Sequence, residues 1–383
     1  MSMDFKLNEE QEAIRKMVAD FTEKEIAPVA AELDEEERFP QDILEKLDQL
    51  GLSNFTVPEE FGGPGIDTLS AVVAAAELAR GCAGVAIALT GNAVALYPIV
   101  CAGSEEMKEK YLNEICDEGK LVSLALNESD AGSNAAALAS SYELAGDSYL
   151  LNGEKTFISG ATYADYFVVF AANDSGESKK TSAFLVAADS VGINVGEAEK
   201  KLGLRASDTA GVVFKDVRVP AGNLIGREGD GIDLANKTSA LARIFIGAIC
   251  IGLSRAALEE SIKFARERIQ FGKPIAANQA IQFMLADMVA RVEAAELLVA
   301  RAARILDDGI PCISEAAVAK LVATESAMQS TVDAVQVLGG YGYSREYPVE
   351  KFMRDAKTLQ ILEGTGMIQR MIIAGVLLGQ TAP

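Results

Sequence analysis

Apolar residues recur at helical spacing over the first 120 residues of the chain. Ile14, Val18 and Phe21 lie three or four positions apart, which places them on one face of a helix. An alanine-rich run over 69–88 continues this pattern after a break that is rich in proline and glycine. The pattern predicts an N-terminal helical domain over residues 1–120.

From about residue 121 the pattern changes to short runs of β-branched and aromatic residues, separated by Gly, Ser, Asn and Asp. Asn152-Gly153 stands between two of these runs and predicts a two-residue hairpin turn. The polar segment 173–180 is predicted to be a mobile connection. We expect a small antiparallel barrel or sandwich over residues 121–228, with strands at 122–126, 149–151, 156–159, 166–171, 182–186 and 212–214.

Helical spacing returns after Gly231 and continues to the end of the chain. It predicts three long helices, near 232–268, 278–308 and 314–338. We therefore expect a C-terminal four-helix bundle over residues 229–383. The predicted fold class is α+β and mainly α, with helical domains before and after a central β domain.

The chain of 383 residues carries a formal net charge of -21. So acidic a protein is not expected to bind nucleic acid, because phosphates require a basic surface. Its first residues are charged where a secretion signal would be apolar, and no run of about 18–20 apolar residues is evident. The five cysteines are scattered without a CxxC pair, which is typical of reduced thiols. We expect a cytoplasmic protein without a membrane span.

The chain contains no histidine. Proton transfer near neutral pH must then depend on Asp, Glu, Lys, Tyr or Cys, and histidine triads and histidine metal sites are excluded. No metal is expected, and neither a P-loop nor a GxGxxG at a strand-to-helix junction occurs. Glu363 is the most prominent acid, because Gly364 and Thr365 follow it. A carboxylate that opens such a turn can point into a pocket.

Three further segments have the composition of ligand-binding loops. The loop 127–134 follows the first predicted strand with small and hydroxyl-bearing residues, which let backbone N–H groups approach an anion. In 266–274, two arginines precede Phe271 and a Gly-Lys-Pro turn, which suits a phosphate and a flat ring. Three glycines in 339–343 permit close backbone approach. On the residues alone, ordinary loops and a solvated helix end remain alternatives.

Ten motifs along the whole chain resemble those of the acyl-CoA dehydrogenase family, which are flavoenzymes that desaturate acyl-CoA thioesters. Each motif alone is modest evidence, but all ten occur in the family's order and at its spacing. The motifs are Pro58-Glu-Glu-Phe-Gly-Gly63, Glu128 with Ala131-Gly-Ser133, Asn152-Gly-Glu-Lys155, Arg205 with Ser207-Asp-Thr209, Asp216-Val217 with Val219-Pro220, Arg268 with Gln270-Phe-Gly-Lys-Pro274, Leu285-Ala-Asp-Met288, Gly339-Gly-Tyr-Gly342, Met353-Arg-Asp-Ala-Lys357 and Glu363-Gly-Thr365.

The resemblance implies FAD as the cofactor and Glu363 as the base that removes the α proton of the substrate. It places six residues around the flavin ring: Leu124, Leu126, Asn127, Ser133, Phe157 and Ser159. It assigns the pyrophosphate and adenine side, partly across a subunit interface, to Arg268, Phe271, Gln279, Gln336, Gly339 and Gly340, with Thr365 as a further FAD contact. It implies substrate contacts from Ser133, Arg243, Thr90, Leu362 and Gly364.

The resemblance also implies an acyl-CoA substrate, electron-transfer flavoprotein as the electron acceptor, and a homotetramer built as a dimer of dimers. Two alternatives stay open. One is an enoyl-CoA reductase that runs the same reaction in reverse, because one active site catalyses both directions. The other is a non-catalytic subunit that binds acyl-CoA or flavin, although the intact motif at Glu363 argues against it.

The chain departs from the family pattern near the flavin edge and the substrate mouth. Asn127 and Ser129 replace the first and last residues of a usual Thr-Glu-Pro, Asn134 replaces a common Asp, and Leu362 replaces the Tyr that often precedes the base. Before Arg243, many members carry an Asp or a pair of glycines.

In this chain Ala240 and Ala242 lie before that arginine, which favours slightly more room in the acyl pocket. These departures concern the identity of the substrate more than the reaction class. The expected substrate is a short or compact acyl-CoA, with straight, branched and alicyclic acyl groups all open.

Overall fold

The computed structural model describes residues 6–173 and 180–380. Its N-terminal part is helical, as predicted. Asn8 and Asp67 start two of the helices by accepting hydrogen bonds from backbone N–H groups of the first turn. The predicted run over 69–88 is broken by Cys82, whose backbone is extended. The helices are α1 (Glu9–Phe21), α2 (Ala30–Glu35), α3 (Gln41–Gln49), α4 (Thr68–Gly81), α5 (Ala83–Ala102), α6 (Glu105–Met107) and α7 (Asn113–Glu118).

The central part is built from strands, and the predicted runs near 122, 166, 182 and 212 all lie in strands. The predicted connection over 173–180 falls largely outside the described residues. The strands are β1 (Val122–Ala125), β2 (Ser141–Ala145), β3 (Ser148–Ser159), β4 (Tyr166–Asn173), β5 (Lys180–Ala187), β6 (Ile193–Val195), β7 (Thr209–Pro220) and β8 (Leu224–Ile225). A separate small hairpin, β9 (Ile269–Gln270) and β10 (Lys273–Pro274), lies further along the chain.

The prediction of a hairpin turn at Asn152-Gly153 is wrong. β3 continues through both residues, and the two-residue turn lies instead at Gly146-Asp147, between β2 and β3. Gly146 has the left-handed backbone (φ 73°) that such a turn requires. Gly153 lies where the register between β3 and β7 shifts, and a Cβ there would clash with Ser140. The glycine therefore permits close packing within the sheet.

The strands form one mixed sheet in the order β6-β7-β3-β2-β4-β5-β8. Most neighbours are antiparallel, as predicted. β1 instead lies parallel to β4, with Val122 opposite Tyr166, and β2 meets β4 in parallel at Ser141 and Ala172. After β1, which runs parallel to β4, the chain enters the loop 127–134 beside β3.

The C-terminal part contains the three predicted long helices, each within two residues of its predicted bounds. α10 packs against α8, α9 and α11, while α4 and α5 pack against α8. The N-terminal and C-terminal helices thus share one buried core, which includes Leu78, Phe245 and Met288. The helices are α8 (Gly231–Glu267), α9 (Gln279–Asp307), α10 (Ile313–Leu338), α11 (Val349–Ile361) and α12 (Gly366–Leu378).

Buried hydrogen bonds and an ion pair made by α11 join the three parts of the chain. Asp355 accepts hydrogen bonds from the backbone N–H of Leu204 (2.6 Å) and from Lys351 Nζ (2.7 Å). Arg354 donates to Asp34 near the N-terminus (2.6 Å). The Met353–Lys357 motif therefore connects the helical parts to the β region.

Within the part of the chain that the structure describes, three helical segments are long and apolar enough to cross a membrane by length and composition alone. The expectation that no such run exists is wrong. In Ala83–Ala102 and Gly231–Glu267, 67% and 89% of the most apolar window is buried inside the protein, so these residues pack the core. In Val349–Leu378 only 17% is buried, which leaves much of its apolar surface uncovered.

Candidate active site

Glu363 lies in the turn between α11 and α12 with a left-handed backbone (φ 54°), and Gly364 follows with φ 90°. Such a φ is uncommon for a residue with a side chain and is held only where its surroundings enforce it. Leu362 ends α11 by donating to Thr358, and Thr365 begins α12 by accepting from a backbone N–H. Helix ends on both sides thus fix the position of the half-buried Glu363.

Two buried cations face Glu363: Arg243 on α8, which is 8% exposed, and Lys320 on α10, which is 0% exposed. Burial raises the pKa of Glu363 above its ordinary value, while the charges of Arg243 and Lys320 act in the opposite direction. Burial also lowers the pKa of Arg243. Arg243 Nε is buried without a hydrogen-bond partner, so it can donate to a ligand.

Two residues outside the predicted set hold the backbone of this turn. Lys320 Nζ donates to the carbonyl oxygens of Gly364 (2.7 Å) and Gln360 (3.3 Å). Gln369 Nε2 donates to those of Glu363 (3.1 Å) and Gly364 (2.9 Å). The signal for Lys320 was present in the sequence, since it interrupts a buried stripe of small residues at helical spacing on α10, namely Ala316, Ala323 and Ala327.

The six residues predicted around the flavin ring lie on β1, on the loop after it and on β3. Thr156 N donates to the Asn127 carbonyl (2.9 Å), and Ser123 Oγ donates to the Ser159 carbonyl (2.8 Å). These bonds hold the end of β1 against β3, where Phe157 is 63% exposed. The structure thus brings the end of β1 beside Phe157 and Ser159. Leu124 lies on β1, and Leu126 and Ser133 lie on the chain that follows it.

A buried ion pair between Lys155 and Glu128 fixes the loop after β1. Lys155 Nζ donates to the Leu126 carbonyl (3.1 Å) and to Glu128 (2.8 Å), which also accepts from the N–H groups of Ala139 and Ser140. Burial alone would raise the pKa of Glu128, but the hydrogen bonds from Lys155, Ser140 and Ala139 lower it to about 2. Burial lowers the pKa of Lys155 to about 8. Both groups are therefore charged at neutral pH.

Three of the six residues predicted for the pyrophosphate and adenine side line a separate cavity of about 640 Å³. Arg268, Gly339 and Gly340 line it, and the Arg268 guanidinium lies 5.3 Å from the ring centroid of Tyr341. A Cβ added at either glycine would meet no atom within 4 Å, so both face open space. Phe271 is 98% exposed on the β9–β10 turn.

The remaining two members of this set lie close by in the chain. Gln336 is exposed on the last turn of α10, where its carbonyl accepts from Gly339 N. Gln279 is exposed at the first position of α9. The residues that line the cavity come from 264–275 and 337–346, so it is distinct from the Glu363 turn and from the β1 loop.

Thr90, a predicted substrate contact, is buried on α5. Its hydroxyl donates to the Ala86 carbonyl in the same helix (2.7 Å), so towards a ligand it can only accept a hydrogen bond or present its methyl group. Gly91 beside it faces open space, since an added Cβ would meet no atom within 4 Å. This part of α5 can therefore border a cavity.

The residues present fit a flavin dinucleotide. Phe157 and Phe271 are exposed aromatic rings, both with left-handed backbones, and they offer flat surfaces to an extended ring system. Arg268 together with the open Gly339-Gly340 backbone suits a pyrophosphate. The acidic overall charge does not prevent this, because the basic group lies at the cavity itself.

Models of acyl-CoA dehydrogenases match three consecutive segments of the chain. The N-terminal domain matches residues 8–119, the middle domain residues 123–217 and the C-terminal domain residues 229–378.

The chain belongs to the acyl-CoA dehydrogenase family.

Members of this family are FAD-dependent oxidoreductases, and so is this protein. An acyl-CoA dehydrogenase of Bacillus subtilis (strain 168) is 43% identical over 378 residues, which cover 98% of this chain and 100% of that protein. The acryloyl-CoA reductase (NADH) of Anaerotignum propionicum is 42% identical over 375 residues, or 97% and 95% of the two chains.

Solved structures of the family share the whole fold. Butyryl-CoA dehydrogenase from Megasphaera elsdenii has a TM-score of 0.95 and 40% identity, covering 98% of this chain and 100% of its own. A chain with the same values occurs in a structure concerned with the electron transferring flavoprotein of Acidaminococcus fermentans. The fold class predicted from the sequence is confirmed, whereas the domain bounds and the roles of individual site residues stay predictions.

Proposed function

We propose that this enzyme removes a proton and a hydride from the α and β carbons of a short or compact acyl-CoA thioester, with Glu363 as the base. The observation that carries the proposal is the state of Glu363. It is a half-buried carboxylate with a raised pKa, held in a left-handed turn and flanked by Arg243 and Lys320. A carboxylate with these properties is suited to remove a weakly acidic proton.

Glu363 takes the α proton onto its carboxylate. Its burial makes it more basic than a surface acid, and the charges of Arg243 and Lys320 act against that rise in pKa. Negative charge develops on the thioester oxygen as the proton leaves. We assign its stabilisation to a backbone N–H of the same turn, at Gly364 or beside Glu363.

When bound, FAD supplies the hydride acceptor, because no amino-acid side chain can take that role. The chain's own residues hold and orient it. We assign the flavin ring to Phe157, Ser159 and the end of β1, and the pyrophosphate and adenine side to Arg268 with Gly339-Gly340. Ser133 and Arg243 would contact the CoA part of the substrate, and Arg243 has its unpartnered Nε available for this.

The proposed substrate is a short or compact acyl group. Supporting this, a relative with the same fold at 40% identity is a butyryl-CoA dehydrogenase. The open space at Gly91 and the small Ala240 leave room for branched or alicyclic groups as well. A panel of acyl-CoAs, tested by flavin bleaching without oxygen, would rank them, and fastest bleaching by long straight chains would contradict this proposal.

The proposed electron acceptor is an electron-transfer flavoprotein. The reverse direction is a second candidate, supported by 42% identity to an acryloyl-CoA reductase. Reducing the enzyme with acyl-CoA and reoxidising it with either an enoyl-CoA or an oxidised electron-transfer flavoprotein compares the two directions in one preparation. We further propose a cytoplasmic location and a homotetramer.

The test of the base is Glu363→Gln, which keeps the volume of the side chain but cannot accept a proton at neutral pH. We expect FAD content and acyl-CoA binding to be retained, while the rate of flavin reduction falls by about 10²–10⁴ or more. The exposed Glu143 on β2 provides a matched control, and Glu143→Gln should bleach at the normal rate. Near-normal bleaching in Glu363→Gln would show that another group removes the proton, whereas no bleaching of the natural protein by any acyl-CoA would show that it only binds its ligands.

A further inference from the structure

The backbone of the Glu363 turn is held by an unusual set of buried polar side chains. Lys320 and Gln369 are both 0% exposed, and together they donate four hydrogen bonds to carbonyl oxygens of the turn and of the helix end before it. Three of the four bonds go to Glu363 and Gly364, the two residues with positive φ. Burying a lysine has a high energetic cost, so its retention calls for an explanation.

The charged and titratable groups that face Glu363 lie on the helices packed against the turn. Arg243 from α8 and Lys320 from α10 face the carboxylate. Lys320 in turn faces Cys250, Glu363 and Arg243. Burial raises the pKa of Cys250 to about 12, so this thiol stays neutral, and burial lowers the pKa of Lys320 to about 8. At neutral pH Lys320 therefore carries a positive charge beside the carboxylate.

We infer that Lys320 is a positioning residue for Glu363: its ammonium fixes the carbonyl groups of the turn and keeps a positive charge beside the base. The inference rests on the proposed function of Glu363. Two physical effects combine in one side chain. The hydrogen bonds hold two consecutive residues in left-handed conformations, which would otherwise relax to a less strained backbone. The charge favours the ionised carboxylate, which is the form that accepts the proton.

An effect of Lys320 on Glu363 can be distinguished by experiment from a role of Lys320 in folding alone. If the lysine only filled the core, its removal would lower stability and leave the protonation of Glu363 unchanged. If it acts on the base, the pH dependence of proton removal must move. Gln369 provides the contrast, because it binds the same carbonyl groups without a charge.

The first test is Lys320→Met, which removes the charge and both hydrogen bonds but keeps a long side chain. Acetyl-CoA is the probe, since it has α protons but no β hydrogen, so its exchange in D2O reports proton removal without flavin reduction. We expect the pH profile of exchange to shift upward by about one unit, and the rate at pH below the pKa of Glu363 to fall about tenfold, because a positive charge is lost.

Two further variants serve as comparisons. Gln369→Leu should slow exchange at every pH without moving the profile, since it loses hydrogen bonds and no charge. Lys351→Met removes another buried lysine, which binds Asp355 and does not face Glu363. It should lower the melting temperature and leave the profile in place.

The outcomes distinguish this inference from the function on which it rests. Folded Lys320→Met with an unchanged profile overturns the role of Lys320 and leaves Glu363 as the base. Normal exchange in Glu363→Gln removes the proposed function itself. Should Lys320→Met fail to fold, Lys320→Gln keeps a hydrogen-bond donor without the charge, and the same upward shift is expected from it.

Discussion

Phe157, Phe271 and Glu363 adopt left-handed backbones, with φ between 53° and 54°, although each carries a large side chain. Residues in this region are strained by roughly 1–3 kcal/mol and persist where the surrounding structure enforces them. All three belong to the predicted site. In each case the conformation turns the side chain away from the direction that a regular helix or strand would give it. Four other described residues with side chains share this conformation outside the predicted site, namely Glu37, Asn54, Leu204 and Asp216, so it is not confined to residues that would contact ligands.

At this scale the sequence predicted only part of the site. Glu363 could be predicted because Gly364 and Thr365 follow it directly, which is a local signal. Lys320 and Gln369 act on the same turn from 43 and 6 positions away. Only the packing of α10 and α12 against the turn reveals what they bind, since a lysine on an apolar stripe does not by itself indicate its partner.

At the scale of single elements, β3 shows why a local turn signal fails. Asn152-Gly153 has the composition of a hairpin, yet β3 continues because its pairing with β7 extends on both sides of the glycine, while β2 pairs with β3 up to Asn152. Pairing with distant strands overrides a two-residue preference. The long helices near 232, 278 and 314 were predicted within two residues, because their periodic patterns extend over 26 residues or more.

The Lys155–Glu128 pair links β3 to the loop after β1, and it should make the fold sensitive to acid. The ordinary pKa of this carboxyl is 4.5 and its folded value is about 2, so it stabilises the fold fully above pH 4.5. That contribution is lost as the pH falls from 4.5 towards 2. Lys155→Met leaves a buried unpaired carboxylate and should lower the free energy of unfolding at pH 7 by about 3–5 kcal/mol.

Urea unfolding at a series of pH values measures this effect. The difference between the natural protein and Lys155→Met should shrink as the pH falls below 4.5. Lys200→Met breaks an exposed ion pair with Glu37 and should change stability by less than about 1 kcal/mol. A constant difference across the whole pH range would mean that the ion pair does not carry the stability.

At the scale of the whole molecule, the three predicted parts are joined more closely than the sequence indicates. One core is shared by the first and last helices, and Asp355 and Arg354 connect α11 to the β region and to the N-terminal helices. These contacts join residues 151 and 320 positions apart, so no local pattern could reveal them. The periodicity of apolar residues predicted the order of helices, sheet and helices along the chain, but it could not predict how these parts pack against one another.

The uncovered apolar surface of α12 argues for assembly. Leu377 and Leu378 are 79% and 69% exposed, and Met367 on the same helix is 68% exposed. Such a concentration of exposed apolar side chains on one helix is typical of an interface. The cavity at Arg268 is also distinct from the flavin-ring residues near Phe157, which fits a cofactor shared between two copies of the chain, as in the proposed homotetramer.

Leu377→Glu tests this assembly, because it places a charge on the exposed apolar surface of α12 without disturbing the core. We expect sedimentation to show species smaller than a tetramer, and FAD to be retained less tightly, since each cofactor would lose contacts from a second copy. Val191→Glu is the matched control: Val191 is 93% exposed but lies outside α12, so both assembly and FAD content should stay normal. A Leu377→Glu monomer that keeps FAD tightly would show that one chain holds the whole cofactor, and the Arg268 cavity would then need another ligand.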